Sequence, residues 1–208
     1  MSIATAKLLT AKPTPKRVAD QGDKELSGAQ WEQRFKGSAS TKDLTATFRK
    51  AVEAFIDAMT SAGIAVRISN TFRPIPRSYL MHWCWEIAAK NVKAEDVPAM
   101  NGVNINWVHP TAEASIAAAN KMVKAFEMGN LKTSPALHSL HNVGRAIDMS
   151  ISWTDTVTVK DADGKLIKLK TTPRTGMNRQ LKTVGASYGV KKFIGGHKDK
   201  PHWSDNGR

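Results

Sequence analysis

The chain has 208 residues, enough for one domain with a full hydrophobic core and too few for two of ordinary size. Hydrophobic residues at 41% and charged residues at 24% are values of a folded globular domain, which excludes wholesale disorder, and no apolar run reaches the length of a membrane span. A net charge of +13 points to a polyanionic partner or surroundings, and a single cysteine, Cys84, excludes an internal disulfide and any cysteine-rich metal site.

Residues 1–40 are rich in Lys, Thr, Ser, Gly and Gln and carry Pro13 and Pro15 with little apolar periodicity. They predict a basic polar arm ahead of one domain over 41–208. The opening residues lack the apolar core and cleavage site of a secretory signal, so the chain is expected to be made in the cytoplasm. From Leu44, the residues Phe48, Val52, Phe55, Ile56 and Met59 recur at helical spacing, with Ser40 or Thr41 as a cap and Gly63 as the stop. Ile64, Val66 and Ile68 then alternate as in a half-buried strand that ends at Arg73-Pro74. RSYLMHWCWEIAAK predicts a second helix, 91–109 a long loop, and Pro110-Thr111 the start of an alanine-rich helix ending at Gly129.

In AIDMSISW, Ile147, Met149 and Ile151 point one way while Asp148, Ser150 and Ser152 point the other, which predicts a strand with one core face and one polar face. TVTVKDADGKLIKLKT reads as a β-hairpin turning at Asp163-Gly164, and a short helix is expected over 178–188. Helices and strands in this mixture predict an α+β domain. The positive charge is spread along the chain without a zinc-finger, RRM or KH signature, so sequence-specific nucleic-acid binding is not expected.

SLHNVGRAIDMS carries the chemistry. His141 and Asp148 stand seven residues apart, and on one helix that spacing would separate them by roughly 10 Å along the axis, too far to share an ion. With His141 in a loop, Asp148 on the polar face of the following strand and Gly144 reversing the chain, the two side chains converge. A catalytic zinc site takes three protein ligands, so a third must come from His82, His109, His138, His197 or His202. His202 lies in DKPHW, three residues after Asp199, the carboxylate best placed by sequence to serve as general base.

SLHNVGRAID resembles the S-x-H-x-x-G-x-A-x-D motif of the M15 family of zinc peptidases, the group of D-Ala-D-Ala carboxypeptidases, VanY-type enzymes and phage L-alanyl-D-glutamate endolysins. Ser139, His141, Gly144, Ala146 and Asp148 match it, and Asp199, His202 and Trp203 match the second motif of that family. The resemblance implies a small antiparallel sheet flanked by helices of the Hedgehog/DD-peptidase type. It also implies Zn2+ on His141, Asp148 and His202, with Asp199 as base. The family arginine that orients substrate falls on Arg73 in TFRP, with Arg77 as a near competitor. Ser139, His197 and Trp203 are expected to support the site or touch substrate.

The implied activity is hydrolysis of an amide bond in the peptidoglycan stem peptide by a monomer. The aspartate base favours the L-Ala-D-Glu endopeptidase branch over D,D-carboxypeptidase action; a non-catalytic wall-binding module is the rival of another class. Lys160, Lys165, Lys168 and Lys170 form a solvated basic face open to anionic wall polymers. Murein lies outside the cytoplasm, so release during phage lysis or delivery as a secreted effector is implied.

Overall fold

A computed structural model describes residues 24–208. Residues 1–23 of the expected arm lie outside that range, but its remainder is folded onto the domain. There, β1 (Glu25–Leu26) leads into a 3-10 turn (Ala29–Gln33) whose Trp31 is 1% exposed. A second 3-10 turn (Thr41–Asp43) precedes α1 (Ala46–Ser61), and β2 (Ala65–Asn70) and α2 (Ile75–Ala88) follow. β3 (Ile105–Asn106) and α3 (Ala112–Ala125) come next, then a 3-10 turn (Leu140–Val143) that opens β4 (Ala146–Ser152). The chain closes with β5 (Val157–Lys160), β6 (Leu166–Leu169), α4 (Arg179–Ser187), β7 (Lys191–Lys192) and β8 (His202–Ser204).

The expected α+β composition is present. β2, β4, β8 and β7 form an antiparallel four-stranded sheet in that order, β5 and β6 form the expected hairpin, and β1 pairs with β3 in parallel. Side-chain caps account for the starts of two of the four α-helices among the described residues. Thr111 caps α3, its side chain accepting from the Ala114 N–H, and the Asn178 side chain accepts from the N–H groups of Gln180 and Leu181 to start α4. Ser40 caps the 3-10 turn instead of α1, which begins five residues later than that cap predicts, because the Thr45 N–H is held by the Gly144 carbonyl at 2.9 Å. The loop over 91–109 contains β3, a two-residue strand too short to leave a periodic signal.

Two apolar clusters result. In the first, Ile147, Met149, Ile151 and Trp203 of the sheet meet Phe48, Val52, Phe55 and Met59 of α1 and Leu181 and Val184 of α4. In the second, Trp31 joins Tyr79, Leu80, Cys84 and Ile87 of α2 and Ala119 and Met122 of α3. Burial pushes the Cys84 thiol up, so the free cysteine is an unreactive core residue. The chain crosses between the clusters at Arg73 and again at the Leu140–Val143 turn, which puts both segments at the seam.

Trp203 is fully buried and its ring lies 5.5 Å from that of Phe55. Trp203→Ala is expected to remove about 3–5 kcal/mol of stability, read in metal-free protein as a lower urea midpoint at unchanged m-value. A loss under about 1 kcal/mol would place the tryptophan outside the core.

Candidate metal centre

The turn that carries His141 is fixed by side-chain hydrogen bonds to its own backbone and to the Arg73 corner. Asn142 Oδ1 accepts from the Ser139 N–H at 2.7 Å, and Asn142 Nδ2 donates to the Arg73 carbonyl at 2.7 Å and to Ser78 Oγ at 2.9 Å. The Arg73 N–H donates in turn to the His141 carbonyl at 3.1 Å. Gly144 ends the turn in the left-handed region at φ 65°, and a Cβ there would lie 2.6 Å from the Asp43 carbonyl oxygen. Glycine is required both for the backbone conformation and for this approach.

β4 starts two residues later, and its pleat sends Ile147 and Met149 into the core and Asp148 to the other face. In the antiparallel register Asp148 stands opposite His202 and Ile147 opposite Trp203. Directly opposed residues share a face, so one register places two polar side chains together and two large apolar ones in the core.

Three atoms converge. His141 Nε2 is 3.2 Å from Asp148 Oδ1 and 3.1 Å from His202 Nδ1, and His202 Nδ1 is 3.3 Å from Asp148 Oδ1. Tetrahedral ligands at 2.0–2.1 Å from a zinc-sized ion stand about 3.3–3.4 Å apart, so the triangle has nearly the dimensions of one face of such a polyhedron. The outer nitrogens are already engaged: His141 Nδ1 donates to the Thr71 carbonyl at 3.4 Å and His202 Nε2 to the Arg208 backbone oxygen at 3.1 Å. In that tautomer both inner nitrogens present lone pairs to a cation; when protonated, they donate to the Asp148 carboxylate instead. Three acceptors this close, two buried and one partly buried, are compatible with a cation among them, either a proton or a metal ion. Among the described residues they form the one His/Cys/Asp/Glu cluster with metal-ligating geometry.

The electrostatics agree. Burial pushes the Asp148 carboxyl up, but hydrogen bonds from His141 and His202 outweigh it and hold the group well below the usual carboxylate range. Asn70 Nδ2 donates to Asp148 Oδ2 at 3.3 Å, which orients Oδ1 toward the imidazoles. Burial lowers the His202 pKa, yet the hydrogen bond and charge of Asp148 raise it further, so the net shift is upward.

Asp199 borders the triangle, with Oδ2 3.9 Å from His202 Nδ1 and its side chain 46% exposed. Burial and the charge of Asp148 push its carboxyl up, a shift that makes it a stronger proton acceptor when ionised. Arg73 lies in the field of Asp148 and Asp199, and among the described residues its guanidinium makes no hydrogen bond or ion pair. Burial lowers its pKa, and the charge of Asp148 offsets only part of that shift. Arg77 is committed elsewhere, donating to the Glu32 carbonyl and carboxylate at 2.9 Å each and stacking on Phe126. That leaves Arg73 as the available arginine.

The supporting residues fall differently from expectation. Ser139 acts through its backbone, and its Oγ is buried without a hydrogen-bond partner. His197 is exposed in the 3-10 turn Gly196–Lys198 and is not one of the three converging side chains. Trp203 faces the core with no exposed surface, so it cannot touch substrate; being adjacent to His202 on a strand, it must point to the opposite face. His82 bonds Ser134 and Pro135, and His109 bonds Ser27, which settles their structural roles. Asn70, Thr71 and Asn142 were not singled out by sequence; Asn142 occupies a variable position of the first motif, and the other two are located only by the strand pairing.

Asn70→Ala is expected to weaken metal affinity roughly 10–100-fold while His141→Ala abolishes it, both read by competition with a chromophoric chelator. Unchanged affinity in both variants would exclude this site. His202 holds its proton above the ordinary imidazole range in metal-free protein, and a metal must displace it. Affinity should therefore climb about tenfold per pH unit below that pKa and level off above it; a flat profile through the histidine range would contradict the ligand set.

No helix among the described residues is long and apolar enough to cross a membrane. A scan against protein-family models gives no match, and neither does a search of curated proteins.

Proposed function

We propose that the chain is a zinc-dependent peptidase of the M15 type, with a Hedgehog/DD-peptidase-like fold, that hydrolyses an amide bond in the stem peptide of bacterial peptidoglycan. The observation that carries this reading is the 3.1–3.3 Å triangle of His141 Nε2, Asp148 Oδ1 and His202 Nδ1 beside the carboxylate of Asp199. Two neutral imidazoles and one carboxylate would hold Zn2+ with a residual positive charge, and the ion would supply Lewis acidity and lower the pKa of water.

The remaining chemistry belongs to side chains. Asp199 accepts a proton from the attacking water as the new C–O bond forms, and returns it to the amide nitrogen as the C–N bond breaks. The raised pKa of its carboxyl suits both transfers. Arg73, cationic and without a protein partner among the described residues, donates to the substrate carbonyl oxygen or to a nearby stem-peptide carboxylate. Lys160, Lys165, Lys168 and Lys170 are exposed on and beside the β5–β6 hairpin, which suits an anionic wall. The preferred bond is L-Ala-D-Glu, cut during cell lysis after release from a phage-infected cell or delivery by a secretion machine.

Muropeptides digested by the zinc-loaded protein should show, by mass spectrometry, a mass gain of one water and a new amine terminus at D-Glu. Asp199→Asn should retain the metal and lose roughly 10²–10⁴-fold in turnover. Intact muropeptides after digestion by the zinc-loaded wild type, or full activity in the Asn variant, would refute the proposal.

A further inference from the structure

Asp199 and His202 sit three residues apart on a segment that is neither helix nor, until His202, strand. Sheet pairing with β4 holds His202, whose carbonyl also accepts from the Phe193 N–H at 3.2 Å, but among the described residues no strand or helix bond holds the Asp199–Lys200 end. Pro201 has no N–H, although its carbonyl accepts from the Met149 N–H at 2.9 Å and so ties one point of the segment to β4. Among the described residues, the carbonyl of Lys200 receives a hydrogen bond from one group only, the ammonium of Lys192 on the edge strand β7.

The same Nζ donates to the His202 carbonyl at 2.9 Å and stands 5.0 Å from the centroid of the Trp203 ring, across the register pair Lys192–Trp203. One cation thus grips the carbonyls of the two residues that flank Pro201 while resting on the aromatic face of Trp203. Its stem is half-buried, so the donors cannot wander as a surface lysine's do. A charge-assisted bond to a carbonyl is stronger than a neutral one, and two converge here.

Resting on the metallopeptidase reading above, we infer that Lys192 is a positioning residue: its ammonium clamps the Lys200 and His202 carbonyls and thereby sets Asp199 against the metal ligand His202. It touches neither substrate nor the ligand atoms. Lys192 also brings a positive charge near Asp199, opposite in sign to Asp148 on the other side.

The test compares Lys192→Met, which keeps the stem and removes donors and charge, with Lys192→Arg, which restores both. Co2+ alone serves as a spectroscopic probe. Lys192→Met should keep the wild-type far-UV circular dichroism and bind one Co2+ with an altered visible absorption band. On muropeptides kcat should fall roughly 10–100-fold with KM within about twofold, and Lys192→Arg should recover part of the band and of kcat. A Met variant with wild-type band and kcat overturns the clamp. So does loss of fold in both variants without recovery by Arg, which marks a merely structural lysine. If wild type binds Co2+ yet cleaves no muropeptide, the peptidase reading falls and the absorption band alone decides the clamp.

Discussion

The antiparallel pairing of β4 with β8 is the constraint on which the centre depends. With Asp148 opposite His202, these two candidate ligands share one face of the sheet and Ile147 and Trp203 share the other. A slip of β8 by one residue would turn His202 into the core, away from Asp148, and expose the tryptophan, so the apolar packing of Trp203 against Phe55 and α4 fixes the geometry of the candidate centre as well as the fold. Stability and chemistry are joined through a strand of only three residues.

The third candidate ligand, His141, is delivered by a corner instead of a strand. Gly144 lets the chain turn within van der Waals reach of the Asp43 carbonyl, and Asn142 ties the turn to Arg73 and Ser78. The hydrogen bonds that place His141 therefore also place the start of α2 and the guanidinium of Arg73, which has no partner among the described residues. Ligand, candidate anion-binding group and helix are set by one small network, and loosening any bond in it is felt at the others.

Much of the centre was legible because its first half is local. His141, Gly144 and Asp148 fall within eight residues, and the alternation of AIDMSIS states which way Asp148 points. The same parity rule, applied to HW in DKPHW, would have assigned Trp203 to the core, since neighbours on a strand face opposite sides. Other features needed the third dimension. The choice between Arg73 and Arg77 is decided by Glu32, forty-five residues from Arg77, and the support of Asp148 by Asn70 exists only through the β2–β4 register. Trp31 was hidden in a polar stretch because a single aromatic residue leaves no period to read.

X-ray absorption at the zinc edge tests the central claim most directly. Zinc-loaded protein should show one ion per chain in a nitrogen and oxygen shell at about 2.0–2.1 Å, with the outer scattering of two imidazoles. Failure to retain zinc, or a shell without imidazole scattering, would contradict the assignment of His141, Asp148 and His202 as its ligands.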